Sequence, residues 1–240
     1  MKSTSGKKFA FDKYASEYDW WFQKNENVFE SELLLLKKAL GKPGKTLSVG
    51  CGTGLFEQAL RQRYGIEIEY GVEPSDAMSR IAEKRGLQLM RMSAEELAAH
   101  PERDFDTVLF NGSSSYIEDL SGPYGAAHTL LKRGGRLVVL DVAAESGYGV
   151  LYELANELGS WEHPKLEGRI PQTPYPAEFL SCAKWKTVAA KTAVIKQTGF
   201  KGVTSWQTLT THPCHSNTRP EKPIPGHEKG DYIALIAFKK

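Results

Sequence analysis

The sequence predicts an α/β fold: a doubly wound, seven-stranded, mostly parallel sheet with helices on both faces and a C-terminal antiparallel hairpin. Two observations carry this prediction. Short apolar, β-rich stretches alternate with helical patterns between residues 45 and 142, which is the order of βαβ units. After residue 200, two strand-like stretches are joined only by a polar, proline-containing loop, and so short a connection favours antiparallel pairing.

The helices are identified from apolar residues at helical spacing. Phe29, Leu33, Leu36 and Leu40 recur at i, i+4, i+7 and i+11, which predicts one buried stripe. The following GKPGK stretch breaks this helix because it combines glycine with proline. The predicted helices are residues 9–22, 26–40, a stretch beginning at Leu55, one opened by Pro74 and Ser75, 122–132, 147–158 and 184–197.

The strands are short apolar runs bounded by turn formers. Gly134 and Gly135 are predicted to end a helix, with a strand directly after them. The other predicted strands are residues 45–49, 66–72, 87–91, 105–110, 203–211 and 232–238. We expect a single domain over residues 1–240, divided into an N-terminal helical cap (1–40), a ligand-binding core (45–145), a lid with a helix (146–200) and the hairpin (201–240).

Composition narrows the classes of function. Lys and Arg number 31 against 29 Asp and Glu, and this near balance gives no argument for nucleic acid or an anionic membrane as a partner. No apolar run approaches the ~18 residues of a membrane span, and no secretory signal is apparent. Cys51, Cys182 and Cys214 are too widely spaced for a disulfide framework. The cytoplasm is the expected location, and the sequence does not indicate an oligomeric state.

The segment 46–54, TLSVGCGTG, places a glycine-rich turn after a predicted strand. Such a turn lets the backbone approach a ligand, and the N-terminus of the next helix offers N–H groups. A dinucleotide fingerprint reads G-x-G-x-x-G, with Ala accepted at the last position. Here Gly54 comes one residue early, and Leu55 stands where NAD sites need Gly or Ala. The spacing therefore speaks against a nicotinamide cofactor.

An acidic residue, Glu73, ends the second predicted strand, nineteen residues beyond Gly54. A carboxylate there can accept hydrogen bonds from both hydroxyls of a ribose. Either feature alone is more simply explained by a tight turn and a solvated strand end. Together, in this order and at this spacing, they predict a site for an adenosine-containing ligand.

With these features in order, the sequence resembles the class I S-adenosylmethionine-dependent methyltransferases of the small-molecule, methyltransferase-11-like type. The resemblance covers about residues 9–145, and the C-terminal hairpin also fits. It implies a Rossmann-like fold, S-adenosylmethionine as cofactor, and methyl transfer to an oxygen, nitrogen or carbon atom of a small organic acceptor. The stretches that carry it, besides the glycine loop and Glu73, are FDKYASEYDWWF (11–22), RMSAEEL (91–97), FDTVLFNGSSSYIEDL (105–120) and LLKRGGRLVVLDV (130–142).

The resemblance also implies roles for individual residues. The loop glycines would face the methionine part of the cofactor, Glu73 the ribose, Met78 the adenine, and Ala94 and Glu95 the polar edge of the adenine. Asn111 would close the site, and aromatic residues of the first helix, including Trp21, would cover it. The cofactor-binding residues expected in this way are Gly50, Cys51, Gly52, Thr53, Gly54, Glu73, Pro74, Ser75, Met78, Ser93, Ala94, Glu95, Asn111, Tyr14 and Tyr18.

Two positions depart from the family pattern. Ser48 stands where the family often has Asp or Glu, and this loss of charge leaves open how the ammonium end of the cofactor is held. Ser93 stands where the family has Asp. Ser93 and Glu96 also form the pattern of a capping box, so Ser93 is expected to cap a short helix, to contact the adenine, or to do both.

Other groups of potentially reactive residues give weaker indications of a function. The stretch His212-Pro-Cys214-His215 does not have a standard zinc spacing, so no metal site is expected. A serine-hydrolase elbow is absent because Tyr116 stands where G-x-S-x-G needs glycine. Cys51 is interpreted as a small filler and not as a nucleophile. No general base can be identified, and the weak candidates are Tyr18, Tyr116 and His212.

Two other functions remain open at this stage. A non-catalytic S-adenosylmethionine-binding or regulatory protein of the same fold would bind the cofactor without transferring the methyl group. A nicotinamide-dependent reductase is the less favoured alternative, because the third glycine comes early.

Overall fold

The computed structural model describes residues 11–240, so Phe9 and the basic stretch before it lie outside the described residues. Three predicted elements appear with the predicted bounds, namely the helices over 26–40 and 147–158 and the strand over 232–238. The helices are α1 (Ala15–Lys24), α2 (Glu26–Leu40), α3 (Leu55–Tyr64), α4 (Asp76–Lys84), α5 (Ser121–Leu130), α6 (Gly147–Leu158), α7 (Ala177–Leu180) and α8 (Val188–Gln197). Short 3-10 helices lie at Ala94–Ala99, Ser114–Tyr116, Pro164–Leu166 and Pro213–His215.

The described strands form one mixed sheet in the order β3-β2-β1-β4-β5-β8-β6-β7. The first five are mutually parallel, and β8 lies antiparallel between β5 and β6. This confirms the doubly wound sheet and the antiparallel pairing of the last two predicted strands. The strands are β1 (Thr46–Val49), β2 (Tyr70–Val72), β3 (Gln88–Met90), β4 (Phe105–Asn111), β5 (Leu131–Val142), β6 (Lys201–Thr208), β7 (Ile224–Pro225) and β8 (Tyr232–Phe238).

The sheet has one strand more than predicted. β7 has only two residues and pairs with β6 at the edge of the sheet, inside a loop with no strand pattern. Its Pro225 has no backbone N–H to donate, and an edge is where a sheet tolerates proline. The strand therefore depends on its partner β6 and leaves almost no local signal.

The predicted role of the glycine pair is wrong. Helix α5 ends at Leu130, and Leu131 already pairs with Phe105, so Gly134 and Gly135 lie inside β5. The β4–β5 register shifts just there, and a Cβ on Gly135 would come within 3.0 Å of the Phe105 carbonyl oxygen. Gly135 therefore permits a close, irregular approach of two strands, and the glycine pair does not end the helix.

Two apolar clusters fill the two faces of the sheet. One packs α1, α2, α3 and α6 against the sheet, and the other packs α5 and α8 against the opposite face. The predicted stripe of α2 is fully buried, together with Leu35 beside it, so this helix contacts more than one neighbour. No helix among residues 11–240 combines the length and apolar character needed to cross a bilayer.

Residues 159–187, called here the cover segment, run between α6 and α8. The segment is fastened to α1, because Trp21 Nε1 and Asn25 Nδ2 both donate to the Thr173 carbonyl oxygen at 3.1 and 3.2 Å. Inside the segment, Trp161 Nε1 donates to the Tyr175 carbonyl oxygen at 2.8 Å. The cover segment and α1 therefore lie together over the carboxyl ends of the strands. The division of the chain into cap, core, lid and hairpin stays a prediction.

Candidate functional site

A cleft of about 560 Å³ opens at the carboxyl ends of the parallel strands, where ligands bind in doubly wound sheets. It is lined by residues from the glycine loop, the end of β2, the start of α4 and the 3-10 helix after β3. The predicted site residues that line it are Gly50, Gly52, Glu73, Pro74, Ser75, Met78, Ser93, Ala94, Glu95, Asn111, Tyr18 and Tyr116.

The glycine loop curves into this cleft through left-handed backbone. Gly52 has φ +58°, and a Cβ there would lie 3.6 Å from Met78 Sδ and 3.9 Å from Tyr18 Cε1, two atoms of cleft-lining residues. Gly50 has φ +67°, and its Cβ would come within 2.6 Å of Ser113 Cβ. Glycine is therefore needed at Gly50 for packing, while at Gly52 it keeps space open in the cleft.

Glu73 is the buried acid of the cleft. Its Oε2 accepts from Gly52 N at 2.9 Å, and its Oε1 accepts from Ser75 N at 2.9 Å. Burial raises the pKa of this carboxyl to about 7, although these two backbone hydrogen bonds oppose the shift. The carboxyl thus connects the glycine loop to the start of α4, and because Glu73 lines the cleft, its remaining lone pairs are available to accept from a ligand there.

The two serines near the predicted adenine end are helix caps. Ser75 Oγ accepts from Met78 N at 3.2 Å and so caps α4. Ser93 and Glu96 form a capping box, in which Ser93 N donates to Glu96 Oε2 at 2.8 Å. Ser93 also lines the cleft, so capping does not remove it from the site.

Helix α1 is attached to the back of the glycine loop. Thr53 Oγ1 donates to Asp19 Oδ1 at 2.6 Å, and Arg85 Nη2 pairs with Asp19 Oδ2 at 2.6 Å. Arg85 Nη1 also donates to the Thr53 carbonyl oxygen at 2.9 Å. Thr53 therefore contacts the covering helix, and it does not line the cleft. Three more of the predicted residues, Cys51, Gly54 and Tyr14, also lie outside the lining.

Ser48 has a buried acidic partner. Ser48 Oγ donates to Glu57 Oε1 at 2.7 Å, and both side chains are buried. Burial raises the pKa of Glu57, and the bond from Ser48 partly offsets the rise. The acid missing from β1 thus has a counterpart on α3, although neither residue lines the cleft. Nearby, burial raises the pKa of the Cys51 thiol, which keeps it protonated and unreactive.

The three weak candidates for a general base lie in different places. Tyr18 and Tyr116 line the cleft, and burial raises the pKa of both hydroxyls well above the ordinary tyrosine value. His212 lines neither of the cavities described here, and its Nδ1 lies 3.0 Å from Cys214 Sγ. Within residues 11–240, no three His, Cys, Asp or Glu side chains come together as a metal site.

A second, smaller cavity of about 60 Å³ adjoins the cleft. Both are lined by Tyr18, Asn111, Gly112 and Tyr116. Its walls are mainly aromatic side chains of α1, α6 and the cover segment.

Two acids that sequence reasoning missed, Glu32 and Asp141, also line the second cavity. Burial and the nearby Asp141 raise the pKa of Glu32 to about 8. Both acids left a signal in the sequence. Glu32 lies three residues after Phe29, on the buried side of α2, and Asp141 stands near the carboxyl end of β5.

Comparison with known proteins agrees with this geometry. The sequence model of the methyltransferase domain family matches residues 21–186. An uncharacterised protein of Methanocaldococcus jannaschii is 29% identical over 95% of this chain and 98% of its own length. The demethylmenaquinone methyltransferase of Tropheryma whipplei is 28% identical over 69% of this chain and 70% of its own.

A solved structure from Thermotoga maritima gives the same result. It is described as a SAM-dependent methyltransferase, possible histamine N-methyltransferase, and superposes with a TM-score of 0.81 at 28% identity. The match covers 97% of this chain and 99% of that chain. The family match extends over well more than half of the chain and includes the glycine loop and Glu73. The chain therefore belongs to the methyltransferase domain family and is an S-adenosylmethionine-dependent methyltransferase with the class I fold.

Proposed function

We propose that the chain transfers the methyl group to a small organic acceptor held in the second cavity. The observation that carries this proposal is the junction of the two compartments, since four residues line both the cleft and the second cavity. A donor in the cleft and an acceptor in the cavity would meet at this junction. Holding both reactants in line is the main contribution a protein makes to such a displacement.

The residues of the cleft fit the cofactor. Its volume, about 560 Å³, lies in the usual range for ligand pockets of this size class. Gly50 and Gly52 would face the methionine part, Glu73 would accept from the ribose hydroxyls, and Met78 and Ala94 would flank the adenine. Bound S-adenosylmethionine supplies a methyl group on a positively charged sulfur, which is already activated for transfer.

Covering the reactants is the second task of the protein. Phe11 stacks on Phe179 of α7 with ring centroids 4.9 Å apart and also lines the cleft. Tyr116 and Tyr175 hydroxyl oxygens lie 3.2 Å apart and join the loop after β4 to the cover segment. These contacts link the elements above the junction, and with both ligands bound they would help to keep water from competing as an acceptor.

The names of the relatives support a small acceptor. One acts on a demethylmenaquinone, and the Thermotoga protein is described as a possible histamine N-methyltransferase. The three cysteines of this chain are all free thiols, which supports a cytoplasmic place of action as part of the proposal.

The test is a methyl-transfer assay with methyl-labelled S-adenosylmethionine and a library of small phenols, carboxylic acids, amines and activated carbon acids. We expect label to move to at least one class, with S-adenosylhomocysteine formed in equal amount. Cofactor binding without transfer to any class would contradict the proposal and favour a regulatory protein. Failure to bind S-adenosylhomocysteine at all would remove the cofactor site from the cleft.

A further inference from the structure

The second cavity has an unusual charge for an apolar-walled pocket. Glu32 and Asp141 both line it, and both are more than nine-tenths buried. In the described part of the chain, no Lys or Arg lines the cavity. An anionic acceptor placed here would meet two buried acids, of which only Asp141 has a cationic partner, so the cavity disfavours carboxylates and phosphates.

The two acids differ in the hydrogen bonds and ion pairs that compensate for the burial of their carboxyl groups. Asp141 Oδ1 accepts from Val142 N at 2.9 Å and from Ser115 Oγ at 3.3 Å. Its Oδ2 lies 3.5 Å from the buried Lys191 Nζ but accepts no hydrogen bond from residues 11–240. Asp141 is therefore an ion-paired acid with one free acceptor atom.

Glu32 has no such compensation. Within residues 11–240 its carboxyl group has no hydrogen bond and no ion pair, although the residue is only 7% exposed. It projects from α2 into a cavity that also contains Asp141, and a second buried acid disfavours its ionised form. A carboxyl group that is nine-tenths buried and lines a cavity without a partner calls for an explanation, and a bound cation is the ligand that matches its ionised form.

The walls fit the same kind of ligand. Aromatic side chains form most of the cavity lining, and aromatic rings attract cations, especially where water is excluded. Tyr152 lies 5.1 Å from Trp185 and 5.9 Å from Tyr175, measured between ring centroids, and Tyr175 lies 5.1 Å from Trp21. The aromatic residues that line the cavity with the two acids are Tyr18, Trp21, Phe22, Phe56, Tyr116, Tyr152, Tyr175, Trp185 and Tyr232.

We propose that the acceptor is a small basic amine whose nitrogen binds beside Glu32 within these aromatic walls, and that Glu32 accepts the proton which the nitrogen gives up. This inference rests on the proposed function, since it identifies the acceptor class of the same site. The volume of about 60 Å³ has room for an amine head group, whose nitrogen must face the shared junction while the remainder of the molecule lies along the aromatic walls.

The chemistry balances without a further reagent. An ammonium group that enters the cavity gives one proton to the Glu32 carboxylate and becomes a neutral amine. The amine nitrogen then forms the N–C bond to the methyl carbon as the C–S bond of the donor breaks. The products are the methylated ammonium compound and S-adenosylhomocysteine, and the proton left on Glu32 is released when the next ammonium ion binds.

The protonation state of Glu32 suits this role. Its pKa of about 8 means that the carboxyl is mostly protonated in the free protein near pH 7, so binding of an ammonium ion must release a proton. The released proton is a signal that a merely structural acid would not give. The titratable groups that face Glu32 are Asp141 of β5 with its partner Lys191 of α8, Tyr18 of α1, Tyr148 and Tyr152 of α6, Tyr175 of the cover segment and Tyr232 of β8.

The experiment compares three probes of the same shape. Benzylamine, benzyl alcohol and benzoate are titrated calorimetrically into the protein saturated with S-adenosylhomocysteine, and butylamine, butanol and butyrate form a smaller matched set. We expect each amine to bind at least about tenfold more tightly than its alcohol, with no binding of the acids. Equal affinity for amine and alcohol, tighter binding of an acid, or no amine binding in either set would overturn the proposal.

The variant Glu32→Gln removes the charge and keeps the shape. We expect it to lose the preference for the amine over the alcohol and to bind S-adenosylhomocysteine as the wild type does. Glu30→Gln is the matched control, because Glu30 lies on the same helix and pairs with the exposed Arg63. If S-adenosylhomocysteine does not bind the wild type, the proposed function fails; if it binds and the amine preference is absent, only the acceptor class fails.

Two further measurements keep the test independent of folding. Titrations of benzylamine in two buffers of different ionisation enthalpy near pH 7 count the protons released, and we expect release in the wild type and Glu30→Gln but none in Glu32→Gln. Trp185→Leu changes a wall without touching either acid and is expected to weaken the amine several-fold more than the alcohol. An unchanged proton count in Glu32→Gln would contradict the role of Glu32.

Discussion

The cleft proposed for the cofactor and the second cavity proposed for the acceptor adjoin each other but are constructed differently. The cleft depends on backbone, because the positive φ of the loop glycines and the two amides bonded to Glu73 define its inner surface. The cavity depends on side chains that come from α1, α2, β5, α6, β8 and the cover segment. On this proposal the cleft owes its specificity to local conformation, and the second cavity owes its specificity to tertiary contacts that can change independently.

Among the changes that separate the cleft from the cavity, Gly52→Ala is expected to have the largest effect on cofactor affinity. A methyl group there would occupy the space between Met78 and Tyr18, so we expect affinity for S-adenosylhomocysteine to fall about 30- to 100-fold by calorimetry. Gly65→Ala is the control, since Gly65 has a similar φ of +62° and open space around it. Both variants should lose about 1 kcal/mol of stability from backbone strain. Equal loss of cofactor affinity in both variants would mean that strain, and not filled space, is responsible.

Glu73→Gln tests whether the buried carboxyl acts as a carboxylate. An amide offers one acceptor oxygen to Gly52 N and Ser75 N, which now share two, so we expect about a tenfold loss of S-adenosylhomocysteine affinity. The carboxyl has a pKa of about 7, and ribose hydroxyls favour the ionised form that accepts from them. Wild-type affinity should therefore rise between about pH 6 and pH 8 and then level off. Glu69→Gln, at an exposed position just before β2, serves as the control; a pH dependence that persists in Glu73→Gln would assign it elsewhere.

Asp19→Asn examines the contact through which the two regions are coupled. The change removes the ion pair with Arg85 and keeps an acceptor for Thr53, so α1 should separate more readily from the glycine loop. Because this pair is only partly buried, we expect a three- to fivefold faster dissociation of S-adenosylhomocysteine, roughly, by stopped-flow fluorescence. Glu102→Gln breaks the exposed Lys45 pair away from the cleft and should leave the rate unchanged. A slower or unchanged dissociation in Asp19→Asn would rule out α1 as a cover.

Ser48→Ala is expected to have the smallest effect on the cofactor, within about twofold, because neither Ser48 nor Glu57 lines the cleft. It removes the hydroxyl that donates to the buried Glu57, so we expect a loss of about 1–2 kcal/mol in stability by chemical denaturation. Glu57 already has a raised pKa in the folded protein, so its ionisation opposes folding as the pH rises above the unfolded value. The loss should therefore be larger at about pH 8 than at about pH 5. A large loss of cofactor affinity would show that the pair acts on the site.

Most of the cleft could be predicted from the sequence because the residues that indicate it lie close together along the chain. The spacing of Gly50, Gly52 and Gly54 and the distance to Glu73 lie within one βαβ unit, and three of these four residues line the cleft. The ends of strands were harder to predict where hydrogen bonding to a neighbouring strand determines them. β2 begins at Tyr70 and not at residue 66, and β6 ends at Thr208 because Leu209 takes a φ of +56°.

The second cavity could not be predicted because the residues that line it are distant from one another in the sequence. Glu32 and Asp141 lie more than one hundred positions apart and become neighbours only when α2 packs on the sheet beside β5. An acid inside an apolar helix stripe is a signal, but without its partner it does not identify a site. Similarly, the partner of Ser48 is a helix residue nine positions later, which no strand pattern indicates.

The most direct test that the cleft and the second cavity are separate sites is a calorimetric titration of S-adenosylhomocysteine. It is carried out with the wild type, Glu73→Gln and Glu32→Gln under identical conditions. We predict that the wild type and Glu32→Gln bind with the same affinity and that Glu73→Gln binds about tenfold more weakly. Equal weakening in Glu32→Gln and Glu73→Gln would contradict the separation of the cleft from the cavity. Absence of binding by the wild type would contradict the cofactor site itself.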